Sequence, residues 1–201
     1  MNNISDPCSL IVPGLWIGSL ASLRTLHQDI PGTKQWIVVS LLSNEKLISI
    51  SKILLASSPA LVGCHHEVWR LSDSCQEEFL SPRLVSILNL IDESTTSSRM
   101  STTDNENNDG ALSRNKACLV HCAQGVSRSA AVCAAWLISR KKLCLADALD
   151  EIRRARNQIS PNLGFLASLR ALEKCDGDVK KAMERLARKD NQGVLLKQDH
   201  I

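Results

Sequence analysis

A chain of 201 residues with 44% hydrophobic and 22% charged residues is long enough for one buried core and too apolar to remain unfolded. A net charge of +3 and a pI near 8.4 give no strongly basic face, so nucleic acid is not expected as a partner and acidic or phosphorylated partners are only slightly favoured. The eight cysteines include no CxxC pair, and several lie inside apolar runs, which speaks against both a metal centre and a disulfide framework.

No basic segment followed by an apolar core opens the chain, so no secretory leader is read. The longest apolar run, Ala130 to Ile138, is too short to cross a bilayer. A reducing compartment follows, cytoplasmic or nuclear, with no membrane association. Aromatic residues make up 3% and tyrosine is missing, so aliphatic side chains must fill the core.

Residues 1–9 are polar and read as a flexible N-terminus. Leu10–Val12 and Leu15–Ile17 read as two short strands around a Pro13-Gly14 turn. Ser19 is placed to cap a short helix through Leu26. Trp36–Leu42 reads as a buried strand, with Trp16 and Trp36 packed in or beside the core. Lys46–Ala56 favours a helix. Glu67–Arg70 is the next strand, preceded by His65-His66, whose side chains point to opposite faces and so would not share a metal.

Leu71 to Cys75 reads as a loop. Ser81-Pro82 starts a helix whose positions 84, 87, 88 and 91 form an apolar face. From Asp92 to Asn115 the chain is rich in Ser, Thr, Asp and Asn, the composition of a disordered surface insertion. Ala117 to Val120 is a buried strand, and Ser127–Ser139 is apolar all round, as a central buried helix must be. Leu145, Ala148, Leu149, Ile152 and Ala155 carry helical spacing. Arg153, Arg154 and Arg156 read as a solvated cluster that complements that helix's C-terminal dipole. Pro161-Asn162 opens another helix, with Leu163, Leu166, Leu169 and Leu172 as its apolar positions. After Gly177-Asp178 a weaker amphipathic helix carries Val179, Met183 and Leu186, and residues 190–201 read as a tail.

The informative stretch is His121-Cys122-Ala123-Gln124-Gly125-Val126-Ser127-Arg128-Ser129. It joins a buried strand to a buried helix by a tight loop. Backbone N–H groups, a helix N-terminus and a guanidinium converge there on one point, which suits a phosphate-sized dianion. Cys122 in that field should hold a lowered pKa and act as a thiolate nucleophile. Gly125 permits the positive φ that curls the loop. Arg128 offers a planar fork to two phosphoryl oxygens. Ser129 can donate to the departing sulfur, and His121 can fix the loop through backbone. Ala123, Gln124, Gly125, Val126, Ser127 and Arg128 form the predicted phosphate cradle.

This spacing resembles the signature of the cysteine-dependent protein tyrosine phosphatase superfamily, and its flanks resemble the dual-specificity branch. Leu10 to Ser19 is similar to that branch's opening strands, and Ile159-Ser160-Pro161-Asn162-Leu163-Gly164-Phe165 to its segment after the catalytic helix. The likeness covers roughly residues 8 to 175. It implies an α/β fold, a small central, mostly parallel sheet flanked by helices, with the phosphate loop between a strand and the central helix. The domain would span 10–175, interrupted by an insertion at about 92–115, and 176–201 would add a C-terminal helix and tail.

The resemblance further implies a dual-specificity protein phosphatase acting on phosphotyrosine and phosphoserine or phosphothreonine in proteins, without metal or other cofactor. Its general acid is assigned to Asp73, in the loop after one strand and before a helix, although the interval to Cys122 exceeds the family's by about the length of the insertion. Glu77, Glu78 and Asp92 stand as substitutes. Asn162 resembles a residue that braces the loop, and a plain helix N-cap would explain it equally. Cys75, close to Asp73 in sequence, is a candidate resolving thiol after oxidation. The same chemistry could serve phosphoinositides, phosphorylated glucan or RNA 5′-triphosphate, and a non-catalytic phosphoprotein-binding scaffold is the remaining alternative.

Overall fold

A computed structural model describes residues 8–26, 35–97 and 116–198. Five strands form one mixed sheet in the order β1-β2-β5-β3-β4: β1 (Cys8–Val12), β2 (Leu15–Gly18), β3 (Gln35–Leu41), β4 (His65–Trp69) and β5 (Lys116–His121). Among the described residues only β1 and β2 pair antiparallel; β2, β5, β3 and β4 are mutually parallel. The expected mostly parallel sheet with flanking helices is therefore the architecture found. The strands begin earlier than the sequence reading placed them: Cys8 and Ser9 already belong to β1, and His65 and His66 to β4.

The parallel register aligns Gly18, Ser40 and His121 across the sheet, with Leu41 beside Trp69. Four strand ends thus open onto one edge, where ligands of open parallel sheets gather. Two layers cover the faces. The short α1 (Ser22–Thr25) and α2 (Glu45–Ser57) lie over the face carrying Trp36, Val38, Ala117 and Leu119. The other face, with Ile37, Val39, Leu41, Cys118 and Val120, packs on α3 (Pro82–Ser97), α4 (Arg128–Lys141), α5 (Leu145–Ala155) and α6 (Leu163–Glu173).

Helix α4 is the axis of that layer. Every residue from Arg128 to Ser139 is buried, and four alanines let neighbouring elements approach closely. Trp136, Leu137 and Ile138 supply bulk, each worth about 1.5–3 kcal/mol of burial. Phe79 links the loop after β4 to this core, with ring centroids 6.0 Å from Trp69 and 5.1 Å from Phe165.

Several expectations are corrected. Asp92–Ser97 continues α3 instead of opening an insertion: Asp92 accepts hydrogen bonds from Trp136 and Arg140, and the buried Ser94 and Thr95 hydroxyls donate to the Ile91 carbonyl within the helix. The rest of the proposed insertion, 98–115, lies outside the described residues. Helix α1 has Ala21, not Ser19, at its N-cap, because Ser22 takes the Ser19 N–H instead. Leu163 is 76% exposed at the first turn of α6, where Phe165 and Leu169 fill the core. Helix α7 (Val179–Gln198) runs through most of the stretch read as a tail. The expected flexible N-terminus, apart from Cys8 and Ser9, falls outside the described residues.

Candidate active site

Residues 122–127 connect β5 to α4 and curl around the sulfur of Cys122. What curls them is the treatment of their carbonyls. The Cys122 carbonyl faces His121 Nδ1 at 3.3 Å. That of Ala123 accepts from Leu20 N–H at 3.2 Å. Arg156 donates from Nη2 to Gln124 and from Nε to Gly125, at 3.3 and 2.8 Å. Val126 accepts from Ser160 N–H at 2.9 Å. Carbonyls of five successive residues are therefore tied from outside. The peptides are trans, so each N–H points opposite to its carbonyl, and those of residues 123 to 127 turn inward. Gly125 N–H shows the result directly, donating to Cys122 Sγ at 3.2 Å.

Gly125 adopts φ +72°, and a Cβ there would stand 2.6 Å from the Gly18 carbonyl oxygen and 2.9 Å from Arg156 Nη2. Conformation and space both require glycine.

Ser129, in the first turn of α4, sets its hydroxyl 3.4 Å from Cys122 Sγ. Burial pushes the Cys122 thiol up. Hydrogen bonds from the Ser129 side chain and backbone, the Arg128 charge and the Gly125 N–H outweigh it and hold the pKa below that of an ordinary cysteine. Cys118 and Cys133, fully buried without such donors, are pushed up instead.

Arg128 is 7% exposed and anchored by Nη1 to the carbonyls of Leu41 and Leu71, at 3.2 and 3.4 Å. Its Nε lies 3.6 Å from Asp73 Oδ2 and has no hydrogen-bond partner among the described residues. Asp73 comes from the loop after β4. Its Oδ1 accepts from Ser127 Oγ at 2.6 Å and from Asn162 Nδ2 at 2.8 Å. Asn162 also caps α6 by accepting from Phe165 N–H at 3.0 Å. Its own N–H donates to Ser127 Oγ at 3.2 Å.

Cys122, Arg128, Ser129, Asp73, Asn162 and His121 are thus brought together. Asp92 is not: its carboxylate is held by Trp136 and Arg140 on α4, away from the loop. No hydrogen bond among the described residues joins Glu77 or Glu78 to these groups. Cys75 is exposed, its backbone pressed against Gly164.

Arg156 is the principal correction. Arg153 and Arg154 are solvated, as expected, and pair with Asp150 and Glu151. Arg156 is 6% exposed and grips the loop. A signal was present: Leu145, Leu149, Ile152 and Arg156 follow one helical stripe, and that stripe is buried. Ser40 and His66 were missed as well. Ser40 was the lone polar residue of a strand read as wholly buried, and such a group needs a partner.

A nucleophile with a lowered pKa, a ring of inward N–H groups, a buried guanidinium and a carboxylate on the rim can bind a phosphoryl group and transfer it to sulfur. The family described as "Dual specificity phosphatase, catalytic domain" matches residues 86–175. Human dual specificity protein phosphatase 9 is 46% identical over 66 residues, 33% of this chain and 17% of that protein. Mouse dual specificity protein phosphatase 14 is 51% identical over 53 residues, 26% of this chain and 27% of that protein. The solved structure of human DUSP28 superposes with a TM-score of 0.61 at 23% identity, covering 87% of this chain and 98% of that one. Residues 86–175 thus carry the sequence pattern of a dual-specificity phosphatase catalytic domain.

The chain spans less than a third of the length of the curated relatives just given. The matched span begins at 86, after Asp73, so the family match does not include Asp73. Among the described residues no helix is long and apolar enough to cross a membrane.

Proposed function

We propose that this protein is a dual-specificity protein phosphatase that hydrolyses phosphotyrosine and phosphoserine or phosphothreonine in proteins through a phosphocysteine. The observation that carries this reading is the loop itself, with five successive carbonyls tied from outside and the Gly125 N–H and Ser129 hydroxyl turned onto the Cys122 sulfur.

Cys122 thiolate attacks phosphorus, and the phosphorus–oxygen bond to the leaving group breaks. The N–H groups of residues 123 to 127, with Arg128, hold the equatorial oxygens as their charge builds. Asp73 gives its proton to the departing oxygen. Ser127 and Asn162 both donate to Oδ1, so the transferable proton sits on Oδ2. Water then attacks the phosphocysteine, Asp73 takes a proton from it, and Ser129 stabilises the returning thiolate. The chemistry uses no metal, since the amides and Arg128 supply the positive field. A thiolate nucleophile suits a reducing compartment, the cytoplasm or nucleus.

The same chemistry on a phosphoinositide, glucan or RNA 5′-triphosphate is the second reading. Ala123, Gln124, Val126 and Ser127 bring no cation to the cup, and Arg156 donates from Nε and Nη2 to the Gly125 and Gln124 carbonyls, which favours a singly phosphorylated side chain over a polyanionic group.

Two variants and one panel test the proposal. Cys122→Ser should abolish turnover and retain phosphate binding. Asp73→Asn should slow poor leaving groups far more than an activated aryl phosphate. If both variants keep full activity, the mechanism is wrong. Phosphopeptides compared with phosphoinositides and phosphorylated glucan decide the substrate class.

A further inference from the structure

On the sheet face covered by α2, a polar chain runs behind the catalytic loop. Ser40 and His121 are register partners on adjacent strands, and His66 pairs with Val38, two residues before Ser40, so all three side chains emerge on one face. Ser40 Oγ lies 2.7 Å from His121 Nε2 and 2.9 Å from His66 Nε2. His121 Nδ1 lies 3.3 Å from the Cys122 carbonyl oxygen. Ser40 and His121 are fully buried, and His66 is half-buried at the outer end of the chain.

The proton positions follow from what each atom can do. A carbonyl only accepts, so Nδ1 of His121 carries hydrogen. Burial pushes the His121 pKa down to about 4, so the ring is neutral and its Nε2 must accept. Ser40 therefore donates to His121, and its oxygen takes a hydrogen bond from His66 Nε2–H. With His66 donating, Ser40 has only one direction for its own proton, and His121 has only one tautomer that fits.

We infer that His66 and Ser40 are positioning residues for the nucleophile: they lock His121 in the Nδ1–H tautomer that clamps the Cys122 carbonyl and orients the first peptide of the phosphate loop. The other tautomer would turn an Nδ1 lone pair toward the carbonyl oxygen. That peptide would be free to rotate, and the Ala123 N–H would leave the cup. The chain lies on the far side of the sheet from the α4 layer, so His66 acts through Ser40 and His121 and does not itself meet substrate. The groups that face His66 are Ser40 from β3, His121 from β5, Lys52 from α2 and its neighbour His65. Burial lowers the His66 pKa, and Lys52 and His65 lower it further, so the ring is a neutral donor at physiological pH.

The inference rests on the phosphatase reading for its kinetic consequence, and the test separates the two. His66→Leu removes the donor; His66→Gln keeps an N–H near the Nε2 position. In the full chain, His66→Leu should lower kcat about three- to tenfold, the effect of one neutral hydrogen bond, with KM changed less than about twofold. The pH midpoint for iodoacetate alkylation of Cys122 should rise, and His66→Gln should restore most of both. Imidazole 15N spectra of the wild-type protein should show His121 as the neutral Nδ1–H form at pH 7. A His121 Nε2–H tautomer in the wild type overturns the inference, whether or not the Leu variant folds. So does a folded His66→Leu protein with unchanged kcat and unchanged alkylation midpoint. A wild-type protein that hydrolyses no phosphate monoester defeats the phosphatase reading and leaves the tautomer and alkylation results to decide this one.

Discussion

Arg156 grips Gly125 from behind the catalytic loop, its Nε 2.8 Å from the glycine carbonyl oxygen. The grip fixes which way that peptide faces. It also places a guanidinium within electrostatic reach of Cys122: burial lowers the Arg156 pKa, and the thiolate offsets part of that.

Replacing Arg156 with Met should therefore release two carbonyls and the N–H groups opposite them. We expect kcat/KM on an aryl phosphate to fall about ten- to a hundredfold, the range for losing one or two charged hydrogen bonds at a buried site. Lysine should recover only part, because one ammonium cannot reproduce the fork that meets both Gln124 and Gly125. Steady-state kinetics and inhibition by inorganic phosphate read both effects.

Gly164 offers a second test. A Cβ there would lie 2.3 Å from the Cys75 carbonyl oxygen, a backbone atom that cannot swing aside. Cys75 follows Asp73 by two residues, so Gly164→Ala should push the Asp73 loop away from the cup. The expected outcome is about 1–3 kcal/mol of lost stability by denaturant titration. The rate on a poor leaving group should drop more than the rate on an activated one.

Asp92 separates support from chemistry. Its two oxygens accept from Trp136 Nε1 at 2.8 Å and Arg140 Nε at 2.6 Å. Asp92→Ala should lower the unfolding free energy by about 1–3 kcal/mol and leave kcat unchanged at temperatures where the variant is folded. A large fall in kcat at full folding would return Asp92 to consideration as the acid.

His121 makes stability depend on pH. Its folded pKa is held down near 4, below the ordinary 6.5, so between those values the unfolded chain binds a proton the folded one refuses. Stability should fall as pH drops from 6.5 toward 4, at most about 1.4 kcal/mol per pH unit from this group. Thermal melts of His121→Asn across that window should show a shallower slope than the wild type.

The catalytic loop was legible in the sequence because its parts are close in the chain and each residue type has one job there: sulfur, glycine, guanidinium and hydroxyl within eight residues of one another. That Asp73 would lie beside this loop was legible for a weaker reason, its place after a strand and before a helix. Arg156 was not. It meets its partners 31 and 32 residues away, and its charge suggested solvent although its helical position pointed inward. The Ser40–His66 pair was invisible because only strand register brings β3, β4 and β5 together. The polar run from Asp92 looked like surface; its first turn stays helical because Asp92 finds Trp136 and Arg140, while Ser94 and Thr95 satisfy their hydroxyls on the preceding carbonyls.

The parallel direction of β5 carries a practical consequence. Lys116 begins that strand beside Glu93, with Nζ 3.5 Å from the carboxylate, and His121 ends it at the reactive sulfur, so about 20 Å of strand separates the two poles. Glu93 and Lys116 mark the quiet pole. A fluorophore or an affinity tether grafted there would report on the molecule without crowding its mouth.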